Sequence, residues 1–216
     1  MNELSGARTD VLNAVRRGMS RAVASVGDDY AAIERNYQAT PARSRAECVA
    51  LFTGRLEHYN VTVRTTDATC LPETVAVMAR QRGKHSLVVP LGLREALPIE
   101  GLTLLPDDGL SYEALDRCEG VLTTSTLAIA LTGTIVLTHR EGEGRRALTL
   151  IPDYHLCVVS ADQLYETVPE AFRRLAALQP ALVTTISGPS ATADIEMIRV
   201  RGVHGPRTLD VVIVER

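Results

Sequence analysis

The sequence predicts an α/β domain: a mainly parallel sheet with helices on both faces, a β-hairpin excursion, and an N-terminal helical arm. Short β-branched and aliphatic runs alternate with helical apolar spacing, a pattern typical of the units that build parallel sheets. Two apolar runs around one Gly-rich loop predict the hairpin. The 216 residues, 45% of them hydrophobic, are enough for one core of good size.

Charge and composition narrow the class of protein. A formal net charge of -3 argues against a general nucleic-acid binder. The first residues contain no apolar leader segment, so a cytoplasmic protein is expected. Residues 120–138 carry no charge, but their Ser and Thr content and marginal length favour a buried strand–helix–strand passage over membrane insertion.

The four cysteines predict neither a metal site nor a cofactor. Cys48, Cys70, Cys118 and Cys157 are far apart in sequence, so the Cys-x-x-Cys spacing of zinc and iron–sulfur sites is absent. We interpret them as four separate thiols.

The N-terminal arm comprises residues 1–40, and the α/β domain residues 41–216. Helical apolar spacing runs over residues 3–37 with a break near Gly27, and the arm is expected to pack on the domain or on a partner. The first half of the domain predicts helix 43–59 closed by Asn60, strand 61–65, helix 71–82, strand 86–89, strand 102–105 and helix 112–117.

The second half of the domain contains the predicted hairpin. Strand 134–138 is expected to turn through Glu141-Gly142-Glu143-Gly144 and pair with 147–151. The other predicted elements are strand 120–124, helix 125–130 capped by Ser125, strand 156–160, helix 162–178, strand 181–186 and strand 209–214.

The stretch from Thr184 to Pro206 holds the first group of candidate site residues. An apolar run ends at a tight turn, which is followed by two acids and a second glycine-rich loop, so a strand delivers functional groups to its carboxyl end. The candidate ligand-binding residues here are Ser187, Gly188, Ser190, Thr192 and Gly205, and the candidate acid–base residues are Asp194, Glu196 and His204.

Two interpretations of this stretch stay open. In one, Ser190 or Thr192 merely caps a short helix beginning near Ala193, with Asp194 in its first turn, and His204 is a surface residue. In the other, the hydroxyls bind an anionic substrate group and the acids or His204 move a proton.

The second candidate group is Thr132, Gly133 and Thr134, a turn that offers hydroxyls and backbone amides together. Threonine is also a common strand residue, so a purely structural role is the alternative. No P-loop, dinucleotide fingerprint or serine-hydrolase elbow accompanies either group.

These two groups resemble the LUD domain of the lactate-utilisation protein C family. The resemblance rests on Ala-Ile-Ala-Leu-Thr-Gly-Thr at 128–134, on Ile-Ser-Gly-Pro-Ser-Ala-Thr-Ala-Asp-Ile-Glu at 186–196, and on Gly-Val-His-Gly-Pro at 202–206. It implies a NagB/RpiA/CoA-transferase-like fold and a role in oxidising L-lactate to pyruvate beside iron–sulfur partner subunits. The family commonly has Glu before Thr-Gly-Thr, where this chain has Leu131.

Three functions follow as hypotheses. The first is a subunit of a lactate-oxidising system that has no iron–sulfur cluster and binds a small carboxylate or a partner. The second, by analogy of fold, is a stand-alone acyl- or CoA-transfer or cyclo-ligase-like enzyme with Glu196 as its carboxylate. The third is a regulatory binding module without chemistry.

Overall fold

The computed structural model describes residues 3–20, 32–34, 36, 38, 40–193, 199–201 and 205–215. The chain divides into two units, residues 1–37 and 38–216. The first unit contains helix α1 (Glu3–Ser20), whose Val11, Leu12 and Val15 side chains are exposed. Helix α1 lies within the span predicted to be helical, and residue 32 is also helical; the predicted break near Gly27 falls outside the described residues.

The second unit is built on a six-stranded sheet whose neighbours are all parallel. In chain order its strands are β1 (Thr62–Asp67), β2 (Ser86–Val89), β3 (Thr103–Pro106), β4 (Val121–Thr123), β7 (Tyr154–Ser160) and β12 (Thr208–Glu215). The order across the sheet is β1-β12-β7-β4-β2-β3. The predicted α/β class with a mainly parallel sheet is confirmed.

A small four-stranded sheet and a two-stranded sheet contain the other strands that the structure describes. The order β8-β5-β6-β9 joins Leu164–Tyr165, Leu127–Ile129, Thr134–Leu137 and Thr184–Ile186. Strands β10 (Ala191–Ala193) and β11 (Arg199–Arg201) form an antiparallel pair.

Helices cover both faces of the main sheet and one face of the small sheet. They are α2 (Arg45–His58), α3 (Leu71–Gln81), α4 (Leu93–Ala96), α5 (Tyr112–Arg117) and α6 (Val168–Leu178), with 3-10 turns at Arg146–Thr149 and Ala161–Gln163. No helix in the described ranges has both the length and the apolar character needed to cross a bilayer.

Alternate side chains of β7 and β12 belong to two different hydrophobic cores. Cys157, Val159 and Val211 pack with α2 and the small sheet, whereas Leu156 and Val212 pack with α3 and α4. Successive strand residues point to opposite faces, so each of these strands contributes to both cores. Helix α6 packs on the other face of the small sheet.

Two predictions between Gly120 and Ile151 are wrong. The predicted helix 125–130 is strand β5, because its fully buried residues take a place between β8 and β6. Short runs buried on both faces cannot be distinguished from helix by periodicity. Ser125 caps nothing; its Oγ donates to the Val158 carbonyl at 3.3 Å.

The second wrong prediction is the hairpin between strands 134–138 and 147–151. Strand β6 pairs antiparallel with β5 and β9, and residues 146–149 form a 3-10 turn. The carboxylate of Glu143 turns back to accept from the Thr138 amide at 2.5 Å. The Glu143 side chain thus accepts the hydrogen bond from the Thr138 amide that the carbonyl of a pairing strand would otherwise accept.

Candidate functional site

Strand register brings the two candidate groups together. Strands β6 and β9 pair with Ile135 opposite Ile186, which places Thr134 beside Ser187. The Thr134 and Ser187 hydroxyls are hydrogen-bonded at 2.8 Å, and those of Thr132 and Thr134 at 2.7 Å. The result is a continuous row of three hydroxyl groups.

Two glycine turns lie against the end of α2. A Cβ on Gly133 would come within 2.7 Å of Arg55 Cβ, and one on Gly188 within 2.7 Å of Tyr59 Cβ. Both glycines have positive φ, at 62° and 84°. The turns that carry the hydroxyls therefore need glycine for their conformation and for this close approach.

Ser187, Gly188 and Ser190 line a cavity of about 310 Å³, together with Arg146, Thr149 and His155. His155 is near the start of β7, so the cavity lies at the amino-terminal end of that strand. The sequence placed the site at the carboxyl end of a strand. The cavity lies at the carboxyl end of β9 in the small sheet, but at the amino-terminal end of β7 in the main sheet.

Arg146 is the charged residue in the lining of this cavity, within the part of the chain that the structure describes. Its Nη1 donates to both the carbonyl and the hydroxyl of Thr149, each at 3.0 Å. Its Nη2 and Nε make no hydrogen bond to a described residue. A guanidinium held on one side only can receive a carboxylate with its remaining donors.

His155 is a neutral partner for such a ligand. The ring is 1% exposed, and its Nε2 is hydrogen-bonded to Thr123 Oγ1 at 2.8 Å. Burial, with the nearby Arg146 charge, lowers the pKa of His155 to about 4. The imidazole is uncharged near neutral pH and acts as a hydrogen-bonding group.

Not every predicted site residue can be placed. Asp194, Glu196 and His204 lie outside the described residues. Thr192 belongs to β10, and its side chain is outside the description. The structure places Ala191–Ala193 in a strand, and residues 194–198, over which the capped helix was predicted, lie outside the described residues.

The remaining predicted residues lie close to the cavity. Gly205 is beside Ser190, where a Cβ would be 3.7 Å from Ser190 Cβ, and the Ser190 amide donates to the Pro206 carbonyl at 2.8 Å. Leu131 is 37% exposed in the turn before Thr132, and its side chain is not part of the lining.

Sequence reasoning missed Arg146, Thr149 and His155. His155 carries a usable signal, because an imidazole stands directly before the apolar run 156–159. Arg146 and Thr149 carry none, because they come from a 3-10 turn that was expected to be a strand.

No group of three or more His, Cys, Asp or Glu in the described ranges is arranged to hold a metal ion. Cys48 and Cys157 are buried, whereas Cys70 and Cys118 are exposed and partly exposed. Burial raises the pKa of the Cys157 thiol to about 12. This thiol is therefore protonated and a poor nucleophile.

Comparisons with known proteins agree on one family. A family model described as the LUD domain matches residues 108–214, which include Arg146, His155 and Ser187. Lactate utilization protein C of Deinococcus radiodurans is 42% identical over 174 residues, covering 79% of this chain and 81% of that protein. Lactate utilization protein C of Shouchella clausii is 32% identical over 114 residues, covering 50% and 49%.

A solved structure shares the fold. The crystal structure of a DUF162 family protein from Deinococcus radiodurans matches with a TM-score of 0.69 and 38% identity, covering 81% of this chain and 100% of that chain. Sequence and structure thus point the same way, and the chain belongs to the LUD-domain family.

Proposed function

We propose that this protein is a component of an L-lactate utilisation system that binds a small carboxylate in the cavity beside Ser187. The observation that carries the proposal is the pairing of one cationic side chain, Arg146, with one neutral imidazole, His155, in the same cavity. The relatives named lactate utilization protein C support the choice of lactate as the carboxylate.

The chemistry of the cavity suits a 2-hydroxy or 2-keto acid. Arg146 pairs with the carboxylate, and the neutral ring of His155 serves as hydrogen-bond partner for the adjacent hydroxyl or keto oxygen. The row from Ser187 to Thr132 supplies further hydroxyls at the rim. A cavity of about 310 Å³ has room for such a ligand together with water.

The electrons of lactate oxidation need another carrier. Conversion of lactate to pyruvate releases two electrons and two protons, and we assign their acceptor to iron–sulfur partner subunits. The four cysteines are dispersed over the described fold, which supports a subunit that holds the carboxylate and not the clusters.

The binding test is an Arg146→Gln variant titrated with L-lactate and with pyruvate by isothermal calorimetry. Loss of the charge-assisted contact weakens binding by about tenfold or more. Arg117→Gln is the matched control, because Arg117 is exposed on α5 and its Nε bonds only its own helix at the Glu113 carbonyl. Unchanged lactate affinity in Arg146→Gln contradicts the assignment of this cavity.

The role in the cell is tested with the same pair of variants. In a strain that lacks the gene, the wild type and Arg117→Gln restore growth on L-lactate, and Arg146→Gln does not. Normal growth of the deletion strain on L-lactate rules out the proposed system.

A further inference from the structure

A second crevice lies at the opposite end of the main sheet. It is lined by Thr124, Ser125 and Thr126 after β4, by Ser160 at the end of β7, and by Arg140 from the loop after β6, around about 360 Å³. Ser160 is five positions beyond His155 on β7. At about 3.3 Å per residue this puts the two cavities roughly 16 Å apart along the strand.

Topology singles out this end of the sheet. Strands β2 and β4 are neighbours in the sheet. From β2 the chain continues to β3 on one side of this pair, and from β4 it continues to β7 on the other side. Adjacent strands with diverging connections form a topological switch point, and ligands of open α/β sheets bind outside the carboxyl ends there.

The loop Arg140–Gly144 closes down on this switch point. The Thr124 amide donates to the Gly142 carbonyl at 2.8 Å, and a Cβ on Gly142 would be 2.5 Å from Thr124 Oγ1. Arg140 and Glu141 also line a neighbouring cavity beside Pro90 and Leu91, which follow β2. The loop thus places Arg140 in the lining of both cavities.

A buried carboxylate holds Arg140 in place. Glu143 is 1% exposed and accepts from the Thr138 amide and the Thr126 hydroxyl. The Thr126 and Thr138 hydroxyls are hydrogen-bonded at 2.7 Å, and Arg140 Nε donates to Thr138 Oγ1 at 3.0 Å. Glu143 also lines the crevice, and its two carboxyl oxygens are each hydrogen-bonded to one of these donors.

The terminal nitrogens of Arg140 indicate the chemical class of the ligand. Both terminal nitrogens of Arg140 make no hydrogen bond to a described residue, whereas the neighbouring Arg145 is paired with Asp107 at 2.7 Å. An unpaired guanidinium fork matches a carboxylate or a phosphate. The surrounding Thr124, Ser160 and Gln163, together with Glu141, offer hydrogen-bond partners to hydroxyl groups.

We propose that the crevice around Arg140 is a second binding site, which takes a hydroxylated organic anion larger than lactate. The anionic group lies on the Arg140 fork, and the hydroxylated body lies along Thr124–Thr126 and Ser160. This site is independent of the lactate site and goes beyond the function proposed above.

The experiment is a calorimetric titration of the full chain with two probes, gluconate and glycerol 3-phosphate, and with acetate as a probe that lacks hydroxyls. Gluconate and glycerol 3-phosphate distinguish a carboxylate site from a phosphate site. We expect saturable millimolar or tighter binding of one of them and weaker binding of acetate. Arg140→Gln lowers that affinity tenfold or more, Arg140→Lys lowers it less, and Arg117→Gln leaves it unchanged.

Two results overturn the proposal. One is the absence of saturable binding of both hydroxylated probes to the wild type at millimolar concentrations. The other is an affinity that survives Arg140→Gln and is lost in Arg146→Gln, which moves the probe to the first cavity. Arg140 is exposed, so the Gln variant keeps its fold, as circular dichroism will check. Loss of lactate binding in Arg146→Gln tests the other proposal separately.

Discussion

Glu166 shows how strongly one residue is fixed by its surroundings. It is 2% exposed and accepts from the amides of Ala42 and Arg43 at 2.5 and 2.8 Å, and from the side chains of Gln38 and Arg43. The backbone donors of Arg43 and Ala42 lower the pKa of Glu166 from 4.5 to about 2. Hydrogen bonds to the charged form favour that form.

The sign of the pH dependence follows from this shift. Because the folded-state pKa is below the unfolded one, the stabilisation is fully present above pH 4.5 and is lost as the pH falls towards about 2. We expect Glu166→Gln to be less stable than the wild type in urea unfolding at pH 7, and the gap between the two to narrow between pH 4.5 and pH 3.

Glu57→Gln is the control for this prediction, since Glu57 is an exposed carboxylate on α2. It should match the wild type at each pH. A gap for Glu166→Gln that stays constant over this range would show that folding does not lower the pKa of Glu166.

The residue scale also shows how much of the candidate site the sequence could predict. The sequence placed Thr134 and Ser187 in two separate candidate groups, and the β6–β9 register makes them neighbours. Arg146 and His155 reach the same cavity from a 3-10 turn and from a strand of the main sheet. Their meeting depends on tertiary pairing, which no local spacing encodes.

At the scale of elements, the turn at Gly188 links the end of β9 to the end of α2. A methyl group there meets Tyr59 Cβ at 2.7 Å and Cγ at 2.8 Å. Gly109 is a matched comparison, because its φ of +75° is close to the +84° of Gly188 and a Cβ on it meets nothing within 4 Å.

The pair Gly188→Ala and Gly109→Ala separates backbone strain from the clash. Gly109→Ala should cost about 1 kcal/mol through its left-handed backbone alone. Gly188→Ala should cost about 1–3 kcal/mol more, because α2 has to move. Urea unfolding of both variants measures the difference in the free energy of unfolding. Equal losses of stability would mean that Tyr59 moves aside without cost.

Elements with local end signals agree with the sequence prediction. Strand 86–89 is followed by Pro90, and helix 112–117 begins after Ser111, whose Oγ accepts from the Ala114 amide at 3.2 Å. Strand β5 has no such signal, and its identity comes from burial between β6 and β8. Capping residues and prolines thus reveal where helices and strands end. A short segment that is buried on both faces lacks the periodicity that would distinguish a strand from a helix.

At the scale of the whole molecule, the division near residue 37 places Gln38–Arg43 in the second unit. This segment supplies every donor that the structure describes around the Glu166 carboxylate. We propose that the unit folds without residues 1–37 but requires the segment that follows them.

Two shortened chains test this proposal. A chain that begins at Gln38 should keep the thermal midpoint of the full-length protein, whereas one that begins at Ser44 should melt several degrees lower, because Glu166 is then buried without partners. Circular dichroism on heating measures both midpoints. Equal midpoints for the two shortened chains would contradict the role given to Gln38–Arg43.

The six-stranded sheet is open, so it ends in two edge strands, β1 and β3, within the described chain. Unpaired edges invite addition of a strand from another molecule and hence aggregation. Here β1 carries Arg64 and Asp67 among threonines, and β3 ends in Pro106, which has no amide to donate. Both edges discourage strand addition, so a protein that binds this unit should dock through side-chain surfaces and leave the sheet unextended.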